Sequence, residues 1–383
     1  MFSRRTAWNV TPNRLTTAVA LRREKGLPLL DLTETNPTRV GLPYPEREIC
    51  EALADTRLLR YEPTPFGHAA ARAAVAGYQG VSPERVVLTA STSEAYAYLF
   101  KLLADAGDRV LVPAPSYPLF DFLAGLEQIE PVPYPCRLED GEWFIDFEAL
   151  DACWEARTRA ILVVSPNNPT GAMLRTEETD LLLGLCRSRG AALICDEVFA
   201  DPGAPIRPSR VDSLAGRDEA LVFVLNGLSK TCLLPQLKAA WIVVSGPAQL
   251  HDTALARLEI IADTYLSVNT PVQLALPRLL ALREEIRRPL RARLAENRAA
   301  LERILAGTAA TPLPADGGWS AVIRVPREPG EEARVLRLLE VGALVHPGFF
   351  FDFPSEAFLV VSLLPEPETF AEGITILAAN VKD

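Results

Sequence analysis

The sequence has few of the residues that build metal centres and nucleic-acid surfaces. It contains three histidines in 383 residues, and its six cysteines include no Cys-x-x-Cys pair, so a metal site would lack ligands. The net charge is -10 and no basic stripe is present, which argues against a nucleic-acid partner. The cysteines are scattered, several of them in apolar runs, and are expected to be buried, reduced thiols.

Long apolar runs and targeting signals are also missing. No apolar run is long enough to span a bilayer, so no membrane partner is expected. The first residues, Met1-Phe2-Ser3-Arg4-Arg5, lack the apolar core of a signal peptide, which favours a cytoplasmic location. No internal repeat or low-complexity segment is present.

The residues that are present fit a large, folded α/β protein. Hydrophobic residues make up 49% of the chain and charged residues 23%, as in ordinary globular proteins. A chain of 383 residues exceeds one ordinary domain. We expect an N-terminal arm over residues 1–45 that packs with the small domain, a large domain over 46–281, and a smaller α+β domain over 282–383.

Short apolar strands alternate with helices from about residue 46, which predicts a mostly parallel sheet flanked by helices. Its predicted strands are Val86–Thr89, Val110–Pro113, Ala160–Val164, Ala191–Cys195, Leu221–Leu225 and Ala239–Ser245. Polar or glycine-containing turns follow the first five. Because ligands bind beyond the carboxyl ends of parallel strands, these turns should line one crevice. A charged helix over about 280–306 and strands near 321–325, 341–345 and 357–364 are expected in the small domain.

Three of these turns carry side chains with both a structural and a functional interpretation. Lys230 follows the strand Leu221–Leu225. A lysine there is ordinarily a solvated loop residue, but a partly desolvated amine can form a Schiff base with a carbonyl compound. Ser91-Thr92-Ser93 caps a predicted helix over 94–104, and the same free amides could bind phosphate. Asp196 leaves a buried strand and needs a partner, either as a cap, a structural ion pair or a ligand-binding carboxylate.

The remaining turns add a ring, an amide and a second lysine. Tyr117 lies between prolines, where it could pack, form a rigid turn or stack on an aromatic ligand. Asn168 belongs to an ordinary turn. Lys238 reaches the crevice only if the strand Ala239–Ser245 runs antiparallel to the others. Together these turns supply a phosphate site, a stacking ring, a carboxylate, an amide and an amine, which are the groups that a pyridoxal phosphate site requires.

The chain resembles the class I/II aminotransferases of the aspartate aminotransferase superfamily over nearly its whole length. Three motifs carry the resemblance, in the family's order and at similar spacing: Asn167-Asn168-Pro169-Thr170-Gly171, Asp196-Glu197-Val198-Phe199-Ala200-Asp201 and Leu228-Ser229-Lys230. The resemblance implies a large domain with a seven-stranded-type sheet, and pyridoxal 5'-phosphate as cofactor. It implies transfer of an amino group from an amino acid donor to a 2-oxo acid acceptor.

The resemblance also implies roles for the matching residues. Lys230 would form the Schiff base and move protons, Asp196 would keep the pyridine nitrogen protonated, and Tyr117 would stack on the ring. Asn168 would bond the ring hydroxyl or the substrate carboxylate. A homodimer with shared active sites is implied, because the phosphate would be held from two chains. Its contacts would be Ser91, Thr92, Ser93 and the partner subunit's Tyr61.

Four positions depart from the family's pattern. Phe199 stands where a tyrosine usually donates to the ring oxygen, which predicts a raised imine pKa. Gly227 replaces a phosphate-binding serine. Lys238 stands where an arginine usually clamps the phosphate, and lysine keeps the charge but loses the fork. Val360 stands where an arginine usually pairs with the substrate α-carboxylate.

The valine leaves several functions open. Either another cation binds the carboxylate, with Arg39 the first candidate and Arg324 the second, or the donor lacks that carboxylate, as in an amine transaminase. A pyridoxal-phosphate lyase or decarboxylase acting at Cα or Cβ is a further alternative, because the same site labilises other bonds. Outside catalysis, the alternatives are a cofactor-sensing regulator and an inactive α/β protein. The first is disfavoured because the chain is expected to start with a short arm rather than a basic helix-turn-helix.

Overall fold

The structure is a computed structural model, and it describes residues 1–201 and 207–381. Its helices are α1 (Arg14–Glu24), α2 (Glu46–Leu53), α3 (Ala69–Gln79), α4 (Thr92–Leu103), α5 (Phe120–Leu126), α6 (Phe147–Ala152), α7 (Thr176–Arg189), α8 (Leu228–Thr231), α9 (Ala248–Tyr265), α10 (Thr270–Ala281), α11 (Arg283–Leu305), α12 (Glu331–Glu340) and α13 (Pro367–Asn380).

Its strands divide between a large and a small sheet and one short pair. They are β1 (Leu30–Asp31), β2 (Val86–Thr89), β3 (Arg109–Ala114), β4 (Glu130–Glu139), β5 (Glu142–Ile145), β6 (Thr158–Val164), β7 (Ala192–Asp196), β8 (Val222–Gly227), β9 (Ala240–Ser245), β10 (Thr311–Pro312), β11 (Ser320–Arg324), β12 (Ala343–Leu344), β13 (His346–Pro347) and β14 (Phe358–Ser362).

The large sheet confirms the predicted α/β class. Its strand order is β2-β9-β8-β7-β6-β3-β4-β5, so the described residues form eight strands rather than a seven-stranded sheet. The additional strand is β5, which folds back antiparallel on the last residues of β4. Strand β9 is antiparallel to both of its neighbours, whereas β3, β4, β6, β7 and β8 are parallel.

Alternation along the central strands builds two hydrophobic cores, one on each face of the sheet. In β7, Leu193 and Cys195 belong to one core, and Ala192 and Ile194 belong to the other. Successive side chains of a strand point to opposite faces, so a strand covered by helices on both sides is apolar throughout. This explains why the central strands were predictable as uninterrupted apolar runs.

Strand β4 was not predicted, and its prolines explain the omission. Pro131, Pro133 and Pro135 lie at alternate positions, and a proline inside an apolar run argues against a strand. The three prolines pair with β3 on one side, while β5 begins its pairing only at Cys136. Their missing N–H groups therefore face the unpaired edge, where a donor is not needed.

The last third of the chain forms a second, antiparallel sheet with the order β10-β11-β14-β13. One of its faces packs on α11 and α13 in a separate core. Near the N-terminus, β1 pairs in parallel with β12, which joins residues 30–31 to this part of the chain. The charged helix begins at Arg283 rather than near 280, because α10 extends to Ala281.

The thiols differ partly from expectation. Cys186, Cys195 and Cys232 are buried and unpaired, but Cys50 is exposed. It lies on α2, whose buried residues are Ile49 and Ala52, so its side chain is on the outer face. Across residues 1–201 and 207–381, every helix is too short or too polar to cross a membrane.

Candidate active site

The carboxyl ends of five strands meet at one edge of the large sheet, and the predicted turns follow them. β3, β6, β7 and β8 are parallel, and β2 has the same direction because β9 lies antiparallel between β2 and β8. Gly227 at the end of β8 is in register with Ala240 at the start of β9. Lys238, just before β9, therefore lies at this edge as well. The antiparallel direction of β9 is the condition under which Lys238 was expected to reach the crevice.

Lys230 lies in α8, immediately after β8. Its Nζ atom is 4.7 Å from the ring centre of Trp319 and 5.5 Å from that of Phe199, and no described residue forms a hydrogen bond with it. Burial lowers the pKa of Lys230 to about 8, against the opposing charge of Asp196. An amine with this pKa is partly neutral near physiological pH, and only the neutral amine is a nucleophile.

Asp196 ends β7 and is 7% exposed. Its Oδ2 atom accepts a hydrogen bond from the Tyr96 hydroxyl at 2.8 Å, and its Oδ1 atom accepts one from the Val198 N–H at 2.9 Å. Burial raises the pKa of Asp196 to about 6, and the bonds from Tyr96 and Val198 and the charge of Lys230 oppose that rise. Near neutral pH the crevice therefore contains a buried carboxylate that would be stabilised by a cationic ligand atom.

Tyr96 was not predicted as a site residue. It lies in α4 among apolar residues and is 2% exposed, so in the sequence it is indistinguishable from a core aromatic. The signal that could have found it is chemical, because a buried tyrosine hydroxyl needs a hydrogen-bond partner. Tyr96 lies one turn into the helix that starts at the candidate phosphate turn. Because this turn and Asp196 were both expected at the crevice, Asp196 was a possible acceptor for the hydroxyl.

The start of α4 has the character of an anion site. Ser91 is the N-cap residue, and its hydroxyl accepts a hydrogen bond from the Glu94 N–H. The amides of Thr92 and Ser93 have no acceptor among the described residues, as expected for the first positions of a helix. Free amides at a helix start favour an anion, and Lys238 at the same edge of the sheet adds a cation.

Asn168 and the Tyr117 loop connect this crevice to the second sheet. Asn168 is half-buried, and its Oδ1 atom accepts a 3.3 Å hydrogen bond from the hydroxyl of Ser320, the first residue of β11. Ser116 donates its N–H to the Phe351 carbonyl at 2.9 Å. Tyr117 is 47% exposed, so its ring is accessible to a ligand.

Three other candidates are exposed in the described structure. Tyr61 is 80% exposed and lines a separate cavity of about 210 Å³ with Tyr98 and Leu266. Arg39 is exposed at the end of a 3-10 helix, Pro37–Arg39. Arg324 is exposed at the end of β11. No hydrogen bond or ion pair of the described residues joins any of the three to Lys230.

One protein family matches most of the chain. The family described as aminotransferase class I and II matches residues 29–373. The glutamate-pyruvate aminotransferase AlaA of Escherichia coli (strain K12) is 30% identical over 274 residues, which are 66% of this chain and 64% of the relative. The alanine aminotransferase of Mycobacterium tuberculosis (strain ATCC 25618 / H37Rv) is 29% identical over 261 residues, which are 66% of this chain and 60% of the relative. The chain thus matches less than two thirds of the length of these curated relatives.

Solved structures show the same fold. The alanine aminotransferase from Pyrococcus furiosus matches with a TM-score of 0.87 and 23% identity, covering 99% of both chains. A single mutant of the Thermus thermophilus aspartate aminotransferase matches with a TM-score of 0.84 and 22% identity, covering 100% of both chains. At these identities the structural likeness establishes the fold alone.

Proposed function

The chain belongs to the class I and II aminotransferase family, and we propose that it moves an amino group between an amino acid and a 2-oxo acid. The observation that carries the proposal is that Lys230 and Asp196 lie at the ends of two adjacent strands of the large sheet. The amine has a lowered pKa and no hydrogen-bond partner among the described residues, and the carboxylate is buried. A cofactor with a carbonyl group and a basic ring nitrogen would use both groups.

The residues of the crevice fit pyridoxal 5'-phosphate. Asp196 would hold the ring nitrogen, and Tyr117 and Phe199 would contact the ring. The phosphate would lie at the start of α4, and its ligands would be Ser91, Thr92, Ser93 and Lys238. Asn168 would bond the ring hydroxyl or the substrate. When bound, this cofactor supplies an electron sink that labilises the bonds of the carbon that carries the amino group.

The protein's own residues would position the reactants and move the proton. Lys230 Nζ would take the proton from the amine-bearing carbon of the substrate, since its pKa of about 8 suits a general base near neutral pH. Asp196 would hold a proton on the ring nitrogen through a charge-assisted hydrogen bond. Tyr96 would fix the orientation of that carboxylate by donating its hydroxyl hydrogen.

Chemical trapping tests the proposed attachment. The protein is incubated with pyridoxal 5'-phosphate, reduced with borohydride, digested and analysed by mass spectrometry. We expect the added cofactor mass on Lys230 alone, because Lys230 is partly buried and the other lysines among the described residues are exposed. A label on another lysine, or equal labelling of a Lys230→Ala variant, would contradict the role of Lys230.

We also propose a homodimer with shared active sites. Leu59 and Tyr61 are 83% and 80% exposed, so both side chains are accessible to a second copy of the chain. Sedimentation is expected to give twice the mass of one chain, and Leu59→Glu to shift it toward one. A monomer at all concentrations would rule out shared sites. That the chain is a lyase or decarboxylase instead, and that it is located in the cytoplasm, are predictions from the sequence alone.

A further inference from the structure

One face of the second sheet is turned toward the crevice. Side chains alternate along a strand, and Ala321 and Ile323 of β11 belong to the core that contains residues of α11 and α13. The intervening residues therefore share the opposite face. At its inner end, Ser320 bonds to Asn168. At its outer end, Arg324 lines a cavity together with residues of the large sheet.

The middle of this face is apolar. Val360 is 2% exposed and is in register with Val322 on the neighbouring strand. Both belong to a cluster whose other buried members are Trp143, Leu313, Phe351 and Phe353. A carboxylate against these side chains would lose its hydration and gain no hydrogen bond from them, which is costly in an apolar setting. The position that holds an arginine in the family is a hydrophobic wall in this chain.

A cation follows farther along the same face. Arg324 lies two residues beyond Val322, or about 7 Å along the strand. It lines a cavity of about 520 Å³ between β4 and the segment that leads to β14, with Trp143 and Phe353 among the other lining residues. Ala114, at the end of β3 and before the Tyr117 loop, also lines this cavity, which connects it to the crevice.

The charges around the cavity leave Arg324 available for a ligand. The other arginine of the cavity wall, Arg137, forms an ion pair with Asp146. Two acidic residues, Glu139 and Asp352, also line the cavity, but no ion pair of the described residues includes Arg324. A ligand with one carboxylate suits this arrangement better than a dianion, because a second carboxylate would meet the acidic side chains.

On the basis of the proposed aminotransfer, we infer that Arg324 binds a substrate carboxylate separated from the amine-bearing carbon by an apolar chain. The donor class is then an ω-amino monocarboxylic acid, with its methylene groups against the wall of Val322 and Val360. This role differs from the one that the sequence offered to Arg39 first and Arg324 second, which was to bind the α-carboxylate. An α-amino acid is expected to be a poorer donor than an ω-amino acid of suitable length, because it lacks a carboxylate that reaches Arg324.

The test uses the cofactor-loaded enzyme without an acceptor. Straight-chain ω-amino acids of three to seven carbons are compared with unsubstituted alkylamines of the same length and with α-amino acids, following the loss of the visible cofactor band. At the best length, the ω-amino acid should react roughly 10- to 100-fold more efficiently than the matched alkylamine, the range of one charge-assisted contact. Arg324→Met should bring this ratio to near one, and Arg324→Lys should retain part of it.

Arg327→Met is the matched control, since Arg327 is an exposed arginine just beyond β11 and outside the cavity. Calorimetry with hexanoate provides a readout that needs no turnover: binding should weaken in Arg324→Met and stay unchanged in Arg327→Met. If the ratio persists in Arg324→Met, or falls equally in Arg327→Met, the inference is wrong while aminotransfer stands. If no donor of any class converts the band, the proposed function fails first.

Discussion

At the scale of single residues, the crevice depends on two groups whose environments favour their neutral forms. Burial raises the pKa of Asp196 from 3.8 to about 6 and lowers the pKa of Lys230 from 10.5 to about 8. The charged form of each group is therefore less stable in the crevice than in water. Such opposed shifts at a strand-end crevice are typical of sites that bind and react.

Asp196→Asn should change how stability depends on pH in the cofactor-free protein. A carboxyl with a higher pKa when folded contributes stability that is present below pH 3.8 and lost as pH rises through about 6. The stability of the wild type relative to the variant should therefore fall by about 3 kcal/mol across this window. Urea unfolding between pH 4 and 8 measures it, and parallel stability curves would contradict the burial of an ionisable Asp196.

Phe199→Tyr tests whether the missing tyrosine hydroxyl raises the imine pKa, which is visible in the absorption spectrum of the bound cofactor. The ring centre of Phe199 lies 5.5 Å from Lys230 Nζ, and the ring has no hydrogen-bond donor. The midpoint pH at which the visible band changes should therefore be higher than in relatives with a tyrosine at this position. Adding the hydroxyl should lower the pH of that transition. Spectral titration of the loaded wild type and variant checks this, with Phe199→Leu as the control that adds no donor. An unchanged midpoint in Phe199→Tyr would refute the role given to this position.

Lys230 and Asp196 could be located from the sequence because strand ends are visible as the limits of apolar runs. Tyr96 could not, because its partner is 100 residues away in the chain. For Val360, the resemblance predicted that the usual cation is missing. The availability of Arg324 depends on strand alternation and register that only the folded sheet defines.

At the scale of secondary-structure elements, Gly227 shows why a family residue is absent. A Cβ atom on Gly227 would lie 2.8 Å from the Cβ of Ala240 and 3.0 Å from the Ala239 carbonyl oxygen. Strands β8 and β9 therefore approach too closely for the serine that the resemblance implies at this position. Its loss is a packing requirement of this chain, and the phosphate would depend on α4 and Lys238.

Gly227→Ser should consequently destabilise the protein by about 1–3 kcal/mol, as overpacked substitutions do, without strengthening cofactor binding. Thermal unfolding and cofactor titration give the two readouts, and Gly227→Ala separates the Cβ from the hydroxyl. Ala240→Gly in the same chain should recover part of the loss, seen as a non-additive double-mutant cycle. Tighter cofactor binding with unchanged stability would show that the strands can separate.

The most buried strands were predicted more accurately than the more exposed elements. β2 has the predicted bounds, and β7 differs by one residue at each end, because both are uninterrupted apolar runs. β4 escaped prediction because its prolines oppose the local pattern, and only its place at the free edge makes them tolerable. The start of α11 was misplaced because α10 and α11 have similar periodicity and only Leu282 separates them.

At the scale of the whole molecule, a buried ion pair connects the loop between β7 and β8 of the large sheet to the segment before β11 of the second sheet. Arg210 Nε donates to Asp316 Oδ2 at 2.9 Å, and their side chains are 2% and 9% exposed. Asp316 precedes β11, and its N–H donates to the Gly171 carbonyl. No local sequence pattern predicts such a contact, since its partners are 106 residues apart.

Arg210→Met should destabilise the protein by about 3 kcal/mol, because it leaves a buried carboxylate without its main partner. Arg14→Met, which removes an exposed pair with Glu332, is the matched control and should cost less than about 1 kcal/mol. Urea unfolding of both variants gives the comparison. Equal, small losses would mean that Arg207, 3.4 Å from Asp316, is sufficient alone.

The central claim is that the crevice around Lys230 performs aminotransfer. Its most direct test is the absorption spectrum of the pyridoxal-loaded protein before and after amino acids and plain amines, without an acceptor. We expect the visible band to be replaced by the near-ultraviolet band of the pyridoxamine form, and an oxo acid to restore it. A band that persists or returns while ammonia, carbon dioxide or a cleaved fragment accumulates would identify a lyase or decarboxylase, and a protein that stays colourless would contradict the cofactor site itself.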